Sequence, residues 1–174
     1  MENTNFRFFG NKKIVANLPE FLKSLQQNGM FQFTIGTDSI QSRGKTLFYT
    51  VLAYRIPTGG ANSIYIKNVT PRIANVTARM MAETGYSVQV AMQIAESKEN
   101  NIVISSIELD INADRQWKSN DALDASIGWV KGIGFKVNYK NKDSKTSLEE
   151  SPTFTSGSLM STAFADKLCK KYAR

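Results

Sequence analysis

Alternation of apolar and polar residues predicts three β-strands in the first half of the chain. Residues 31–38 alternate with a period of two, as a half-buried strand does. Residues 45–56 and 63–69 are rich in aromatic and β-branched side chains, which favour strands. Gly44 and the Pro-Thr-Gly-Gly sequence at 57–60 suit hairpin turns, so we expect an antiparallel meander.

Helical and extended segments surround this meander. They are an extended piece at 6–14, a helix at 18–27 with Asn17 as N-cap, a long helix at 72–97 opened by Pro71, a strand at 102–111, a helix at 120–131, a strand at 135–139 and a helix at 158–171. This order predicts a single α/β domain over residues 1–174. Its five-stranded mixed sheet would have three antiparallel strands followed by α/β crossovers, with flanking helices and a short N-terminal helical extension.

The residue types that are missing exclude several kinds of chemistry. The chain contains no histidine and a single cysteine, Cys169. A serine–histidine–aspartate triad, a cysteine–histidine zinc site and an internal disulfide are therefore ruled out. Any catalysis would have to use carboxylates, hydroxyls, lysines or a bound metal.

The charge of the chain points to an anionic partner. Lysine and arginine number 22 against 15 acids, and most of this excess of 7 lies between Lys131 and Arg174. Such a balance is typical of nucleic-acid binding, although a solvated lysine-rich surface would give the same composition. No apolar stretch is long enough for a membrane span and the first residues show no secretory pattern, so we expect a cytoplasmic protein without a membrane partner.

Two acids stand where predicted strands end. Asp38 ends the first strand of the meander, and Asp110 stands at the end of the strand at 102–111. If these strands are parallel neighbours, both carboxylates emerge at the same edge of the sheet, where ligands of α/β proteins usually bind. The alternative is that each acid is only a turn former or a helix cap.

Two more acids lie on predicted helices. Glu83 stands three residues after Met80 at the edge of an apolar stripe, and Asp166 lies on the C-terminal helix. Glu83 could instead pair with Arg79, and Asp166 with Lys170, each four residues away on a wet helix face. Carboxylates are the oxygen ligands that Mg²⁺ prefers, and two such ions can cleave phosphodiesters without histidine.

The chain resembles the YkuK family, a bacterial group of unknown role that is regarded as ribonuclease H-like. The segments that carry the resemblance are IGTDS at 35–39, PRI at 71–73, LDIN at 109–112, KS at 118–119, GWVKGIGF at 128–135 and AD at 165–166. The resemblance covers most of the chain and implies a ribonuclease H-like fold with metal-dependent nuclease activity. Glu108 departs from the family pattern, and we expect it either to add charge near the metals or to face solvent.

The resemblance also implies roles for the four acids. Asp38, Glu83, Asp110 and Asp166 match the acids that this superfamily places on the first strand, the first long helix, the fourth strand and a late helix. Together they would hold two Mg²⁺ or Mn²⁺ ions as catalytic and metal-ligating residues.

Four further residues are candidates for substrate binding. Ser39 and Asn112 would contact substrate or metal-bound water, and Arg72 and Lys118 would hold phosphates. Their alternatives are local turn bonding for the first pair and ordinary exposed positions for the second.

The sequence thus predicts a metal-dependent ribonuclease H-like nuclease acting on RNA, DNA, hybrid or branched nucleic acid. One alternative is a nucleic-acid-binding protein on the same fold without turnover. A second is an assembly protein that uses the fold only as a scaffold. The substrate, the mode of cutting and the oligomeric state are left open.

Overall fold

The structure, a computed structural model, describes residues 5–29, 32–57, 59–96, 102–112, 118–140 and 159–172. These residues form one mixed sheet with helices on both faces. The strands are β1 (Arg7–Phe8), β2 (Phe33–Ser42), β3 (Lys45–Arg55), β4 (Ala61–Pro71), β5 (Ile104–Asn112) and β6 (Val137–Lys140). The helices are α1 (Leu18–Gln27), α2 (Val76–Ala95), α3 (Leu123–Gly132) and α4 (Met160–Tyr172), and a 3₁₀ helix at Lys118–Ala122 precedes α3.

The strand order in the sheet is β1-β4-β3-β2-β5-β6. Strands β2, β3 and β4 form the predicted antiparallel meander, and β5 and β6 add to it in parallel. The mixed sheet with antiparallel strands followed by α/β crossovers is therefore confirmed. The sheet has six strands where five were predicted, because Arg7 and Phe8 pair with Tyr65 and Ile64 at the edge of β4.

Both faces of the sheet are covered by apolar packing. The even-numbered positions of β3, such as Leu52, belong to the large core shared with α1, α2 and α3. The odd-numbered positions, such as Tyr49 and Val51, belong to a second core with Ala165 and Leu168 of α4. Burial on both faces explains why β3 is an almost continuous apolar run.

The start of the long helix was predicted wrongly. Pro71 is the last residue of β4 and pairs with Lys45, and α2 begins at Val76 with the Asn75 side chain accepting a hydrogen bond from Ala78 N. The Gln41 side chain donates to the Ile73 carbonyl, and Thr46 Oγ1 accepts from Ile73 N. These tertiary bonds hold the segment extended, where a proline alone suggested the first turn of a helix.

Two further features are the exposure of Trp129 and the apolar character of the helices. Trp129 is 41% exposed, and the edge of its ring packs over Gly85. In the described parts of the chain, no helix has the length and apolar character that crossing a bilayer requires.

Candidate metal and nucleic-acid site

Asp38 and Asp110 lie side by side at one edge of the sheet. Parallel pairing of β2 with β5 runs to Thr37 and Leu109, so the two acids are the next residues on adjacent strands. The prediction that Asp38 ends its strand is wrong, because β2 continues to Ser42 through pairing with β3. It marks the point where β2 separates from β5, and the two half-buried carboxylates stand at the opening.

Glu83 projects from α2 toward the same region and is only 5% exposed. Its Oε1 accepts a 2.5 Å hydrogen bond from the Ser39 hydroxyl, and Arg79 Nη1 donates to that same hydroxyl at 3.0 Å. Arg79 therefore reaches the neighbour of Asp38 from the preceding turn of α2. The alternative of a Glu83–Arg79 pair on a wet helix face does not fit this burial.

The pKa of Glu83 reflects its burial and the charges of the neighbouring acids. Burial raises the pKa of Glu83 to about 8, and the negative charges of Asp38 and Asp110 act in the same direction. The Ser39 hydrogen bond and the Arg79 guanidinium oppose this rise. A buried carboxylate beside two others is costly unless protons or cations neutralise it.

The pKa of Asp38 is also raised. This pKa is raised to about 6, chiefly by burial, and the charges of Asp110 and Asp166 act in the same direction. Ser39 N donates to Asp38 Oδ1 at 2.7 Å, and the Cys169 thiol also hydrogen-bonds this carboxylate; both lower the pKa. Burial in turn raises the pKa of Cys169, so this thiol stays protonated.

Asp166 lies on α4 at the margin of this group. Its side chain is 40% exposed and forms an ion pair with Lys170, in which Lys170 Nζ lies 2.6 Å from Asp166 Oδ2. It contributes to the field at Asp38, as a member of the group would. The ion pair with Lys170, which was the alternative to a role at the site, is therefore present. The charge of Asp166 acts on Asp38 at the same time.

The predicted substrate contacts are only partly described. Ser39 is buried beside Glu83, and Arg72 is exposed just beyond β4, where its N–H donates to the Gly44 carbonyl. Asn112 ends β5 and Lys118 opens the 3₁₀ helix, but their side chains lie outside the described part of the structure. The roles of all four remain predictions.

Glu108 was predicted to add charge near the metals or to face solvent, and the solvent alternative is wrong. It is 3% exposed, and its Oε2 accepts from Ser161 N at 2.7 Å and from Ser161 Oγ at 2.6 Å. Burial raises its pKa, against these hydrogen bonds. The carboxylate anchors the N-terminus of α4, the helix that carries Asp166.

Sequence reasoning missed Cys169 and considered Arg79 only as a partner of Glu83 on a wet helix face. It named Glu108 without its contact to α4. Arg79 has a weak local signal, since it lies one helical turn before Glu83. Glu108 shares a strand face with Asp110 by the alternation of β5, which also suggests proximity. The contact of Cys169 with Asp38 joins residues far apart in sequence, and no local pattern reveals it.

The oxygen donors of this region suit a hard divalent cation. Among the residues that the structure describes, no three histidine, cysteine or carboxylate side chains stand in an arrangement that could hold a metal ion. Burial is the main cause of the raised pKa values of Asp38 and Glu83, and the charges of neighbouring acids, Asp110 among them, add to both. Oxygen donors of this kind match Mg²⁺ and Mn²⁺, and a bound cation would relieve the repulsion.

Comparison with protein-family models identifies the family of the chain. A family model described as ribonuclease H-like matches residues 13–148. The match covers β2 to β6 and includes Asp38, Glu83 and Asp110, whereas Asp166 lies outside it. No curated protein and no solved structure matches the chain.

Proposed function

Because the chain belongs to the ribonuclease H-like family, of the YkuK type, we propose that it is a metal-dependent nuclease that hydrolyses phosphodiester bonds of nucleic acid. The observation that carries this proposal is the juxtaposition of Asp38 and Asp110 where β2 and β5 separate, with the charges of both acting on the buried Glu83. Bound cations would neutralise these neighbouring carboxylates, and such crowding of acids is typical of functional sites.

Asp38 and Asp110 would be the central metal ligands, and Glu83 and Asp166 would complete the set. A pair of Mg²⁺ or Mn²⁺ ions, when bound, would supply Lewis-acid activation of water and stabilisation of the leaving oxygen. Ser39 and Arg79 hold Glu83 in place through the Ser39 hydroxyl. Glu83 and Asp166 would orient the attacking water, and the products would carry a 5′-phosphate and a 3′-hydroxyl.

The substrate would be RNA, DNA, a hybrid or a branched nucleic acid. The formal charge of +7 favours a polyanionic partner and speeds its encounter with the protein. Ser39, Arg72, Asn112 and Lys118 are proposed substrate contacts. Of the two whose side chains the structure describes, Ser39 is buried and Arg72 is exposed, which suits a phosphate contact of Arg72 at the rim of the site.

The test is cleavage of labelled single-stranded, duplex, hybrid and branched substrates with Mn²⁺, Mg²⁺ or a chelator. Wild-type protein should cleave at least one substrate only when the cation is present. Asp38→Asn and Asp110→Asn should each abolish cleavage while the thermal melt stays cooperative. Asp124→Asn, which alters an exposed acid on α3, is the matched control and should cleave like wild type.

Equal cleavage by Asp38→Asn and wild type would overturn this proposal, because a contaminating enzyme or another site would then be responsible. Absence of cleavage by wild type on every substrate would favour the second candidate, a nucleic-acid-binding protein without turnover. The Cys169 thiol that hydrogen-bonds Asp38 favours that candidate, because it occupies a carboxylate that a metal ion would need.

A further inference from the structure

A row of side chains crosses the sheet from Asp38 toward its β1 edge. Asp38 pairs with Tyr49 of β3, and Tyr49 pairs with Lys67 of β4. Paired residues on adjacent strands project to the same face, and each strand step is about 4.8 Å. Lys67 therefore originates roughly 10 Å from Asp38, on the face of the sheet that α4 covers.

Aromatic rings and lysines are interleaved at the end of this row. Tyr172, at the end of α4, stacks on Tyr49 with ring centroids 5.7 Å apart and planes inclined by 10°. Lys67 Nζ lies 5.7 Å from the Tyr49 centroid and 5.8 Å from that of Tyr172. Lys12 Nζ lies 5.2 Å from the Tyr172 centroid. Both ammonium groups belong to exposed residues.

The loop that presents Lys12 has an unusual backbone. Lys12 has a φ of 59°, in the left-handed region that side chains other than glycine and asparagine seldom adopt. Its N–H donates to the Phe8 carbonyl at 3.0 Å, and Arg7 Nη1 reaches its carbonyl oxygen at 3.5 Å. A conformation of this kind persists where surrounding structure holds it, often at binding sites.

The cluster carries positive charge, and a buried hydroxyl group lies beneath it. Hydrogen bonding to Lys12 lowers the pKa of Tyr172, and the charge of Lys171 acts in the same direction. The Tyr49 hydroxyl is fully buried and has no hydrogen-bond partner in the described part of the chain. Buried polar groups without partners are rare enough to call for a functional explanation.

We propose that Lys12, Lys67 and Tyr172 form a binding strip for the sugar–phosphate backbone of a nucleic-acid strand that leaves the acid site. This proposal rests on the proposed function, which places a phosphodiester at Asp38. A distance of about 10 Å corresponds to a few nucleotides along a stacked strand with a rise of 3.4 Å. Lysines interleaved with aromatic rings are typical of sites for single strands, so a single-stranded segment is the favoured ligand.

The test is binding of a fluorescent single-stranded 20-nucleotide probe by anisotropy, in chelator, over a range of salt concentrations. Lys12→Gln/Lys67→Gln should bind roughly tenfold more weakly than wild type at low salt. The slope of log affinity against log salt should fall by about 1.4, because each lost single-strand phosphate contact removes about 0.7. Lys12→Arg/Lys67→Arg keeps both charges and should retain most of the affinity.

The matched control is Lys23→Gln/Lys136→Gln, which removes the same charge from exposed positions on α1 and just before β6. It should keep the wild-type slope within about 0.3, since non-contacting lysines release few counterions. A matching loss in both double variants would overturn the strip, because net charge alone would then explain binding. Stronger binding to a duplex, or equal binding to polyglutamate, would overturn the assignment to a single strand or to nucleic acid.

The outcomes separate the strip from the nuclease. Lysine-dependent binding without cleavage in Mn²⁺ would support the strip and remove the proposed function. Cleavage that depends on Asp38 but not on either lysine, with unchanged probe binding, would support the nuclease and overturn the strip.

Discussion

The Ser39 hydroxyl donates a hydrogen bond to the buried Glu83 carboxylate and at the same time accepts one from Arg79 Nη1. This relay stabilises a negative charge on Glu83, but burial and the neighbouring acids outweigh it, since the pKa of Glu83 is raised to about 8. The folded protein without cations thus holds a proton there that the unfolded chain would release at lower pH.

The first prediction concerns the pH dependence of stability in chelator. The pKa of Glu83 is higher in the folded state than its ordinary value of 4.5, so the folded state binds more protons between these pH values. Its stabilising contribution is complete below about pH 4.5 and is lost as pH rises toward about 8. Glu83→Gln should flatten this decline and raise the free energy of unfolding at pH 8 by roughly 2 kcal/mol.

Urea unfolding at pH 5 and pH 8 measures this difference. Glu96→Gln alters an exposed acid at the end of the same helix and should reproduce the wild-type decline. A decline of unchanged steepness in Glu83→Gln would show that Glu83 is ionised in the folded protein.

The second prediction concerns cations. Mn²⁺ bound among Asp38, Glu83 and Asp110 should replace the proton and stabilise the folded state. At 100 times the dissociation constant this amounts to about 2.7 kcal/mol, or a rise in Tm of roughly 5–10 °C for a chain of this size. Differential scanning fluorimetry with and without Mn²⁺ should show the rise for wild type and for Asp124→Asn. Persistence of the full rise in Asp38→Asn would place the cation elsewhere.

The third prediction separates the two contacts of Asp166. Its ion pair with Lys170 is exposed, so Lys170→Gln should leave both Tm and cleavage close to wild type. Asp166→Asn should also keep Tm, but should lower kcat about 100-fold or more if the carboxylate orients the attacking water. Initial rates of cleavage in Mn²⁺ decide the matter. Equal, small effects of the two substitutions would leave Asp166 as an ion-pair partner only.

The arrangement of Asp38 and Asp110 could be predicted because local patterns determine it. Alternation identified the first of the two strands, and the rule that parallel strands place their ends at one sheet edge brought the acids together. The boundaries of α1 were predictable for a similar reason, since Asn17 supplies a local cap that accepts from Glu20 N.

Long-range contacts defeated the remaining predictions. Pro71 has the local character of a helix start, but pairing with Lys45 keeps it in a strand. The burial of Glu108 depends on the first turn of α4, whose residue Ser161 is 53 positions away. Propensity acts over a few residues, whereas these contacts are set by how distant elements pack.

The last prediction tests the close approach of α4 to β2. A Cβ atom on Gly36 would lie 2.7 Å from Ser161 Oγ and 3.1 Å from the backbone oxygen of Glu108. Ser161 cannot move away freely, because its hydroxyl donates to the Glu108 carboxylate at 2.6 Å. Gly36→Ala should therefore destabilise the protein by about 3 kcal/mol.

Gly128→Ala is its matched control. A Cβ atom there meets nothing within 4 Å, and the residue lies inside α3, where alanine is the better helix former. This substitution should stabilise the protein by about 0.5–1 kcal/mol. Urea unfolding of both variants, with equal m-values, gives the comparison. If Gly36→Ala were as stable as wild type, α4 could not pack against β2 as closely as the structure has it, and the contact of Cys169 with Asp38 would lose its support.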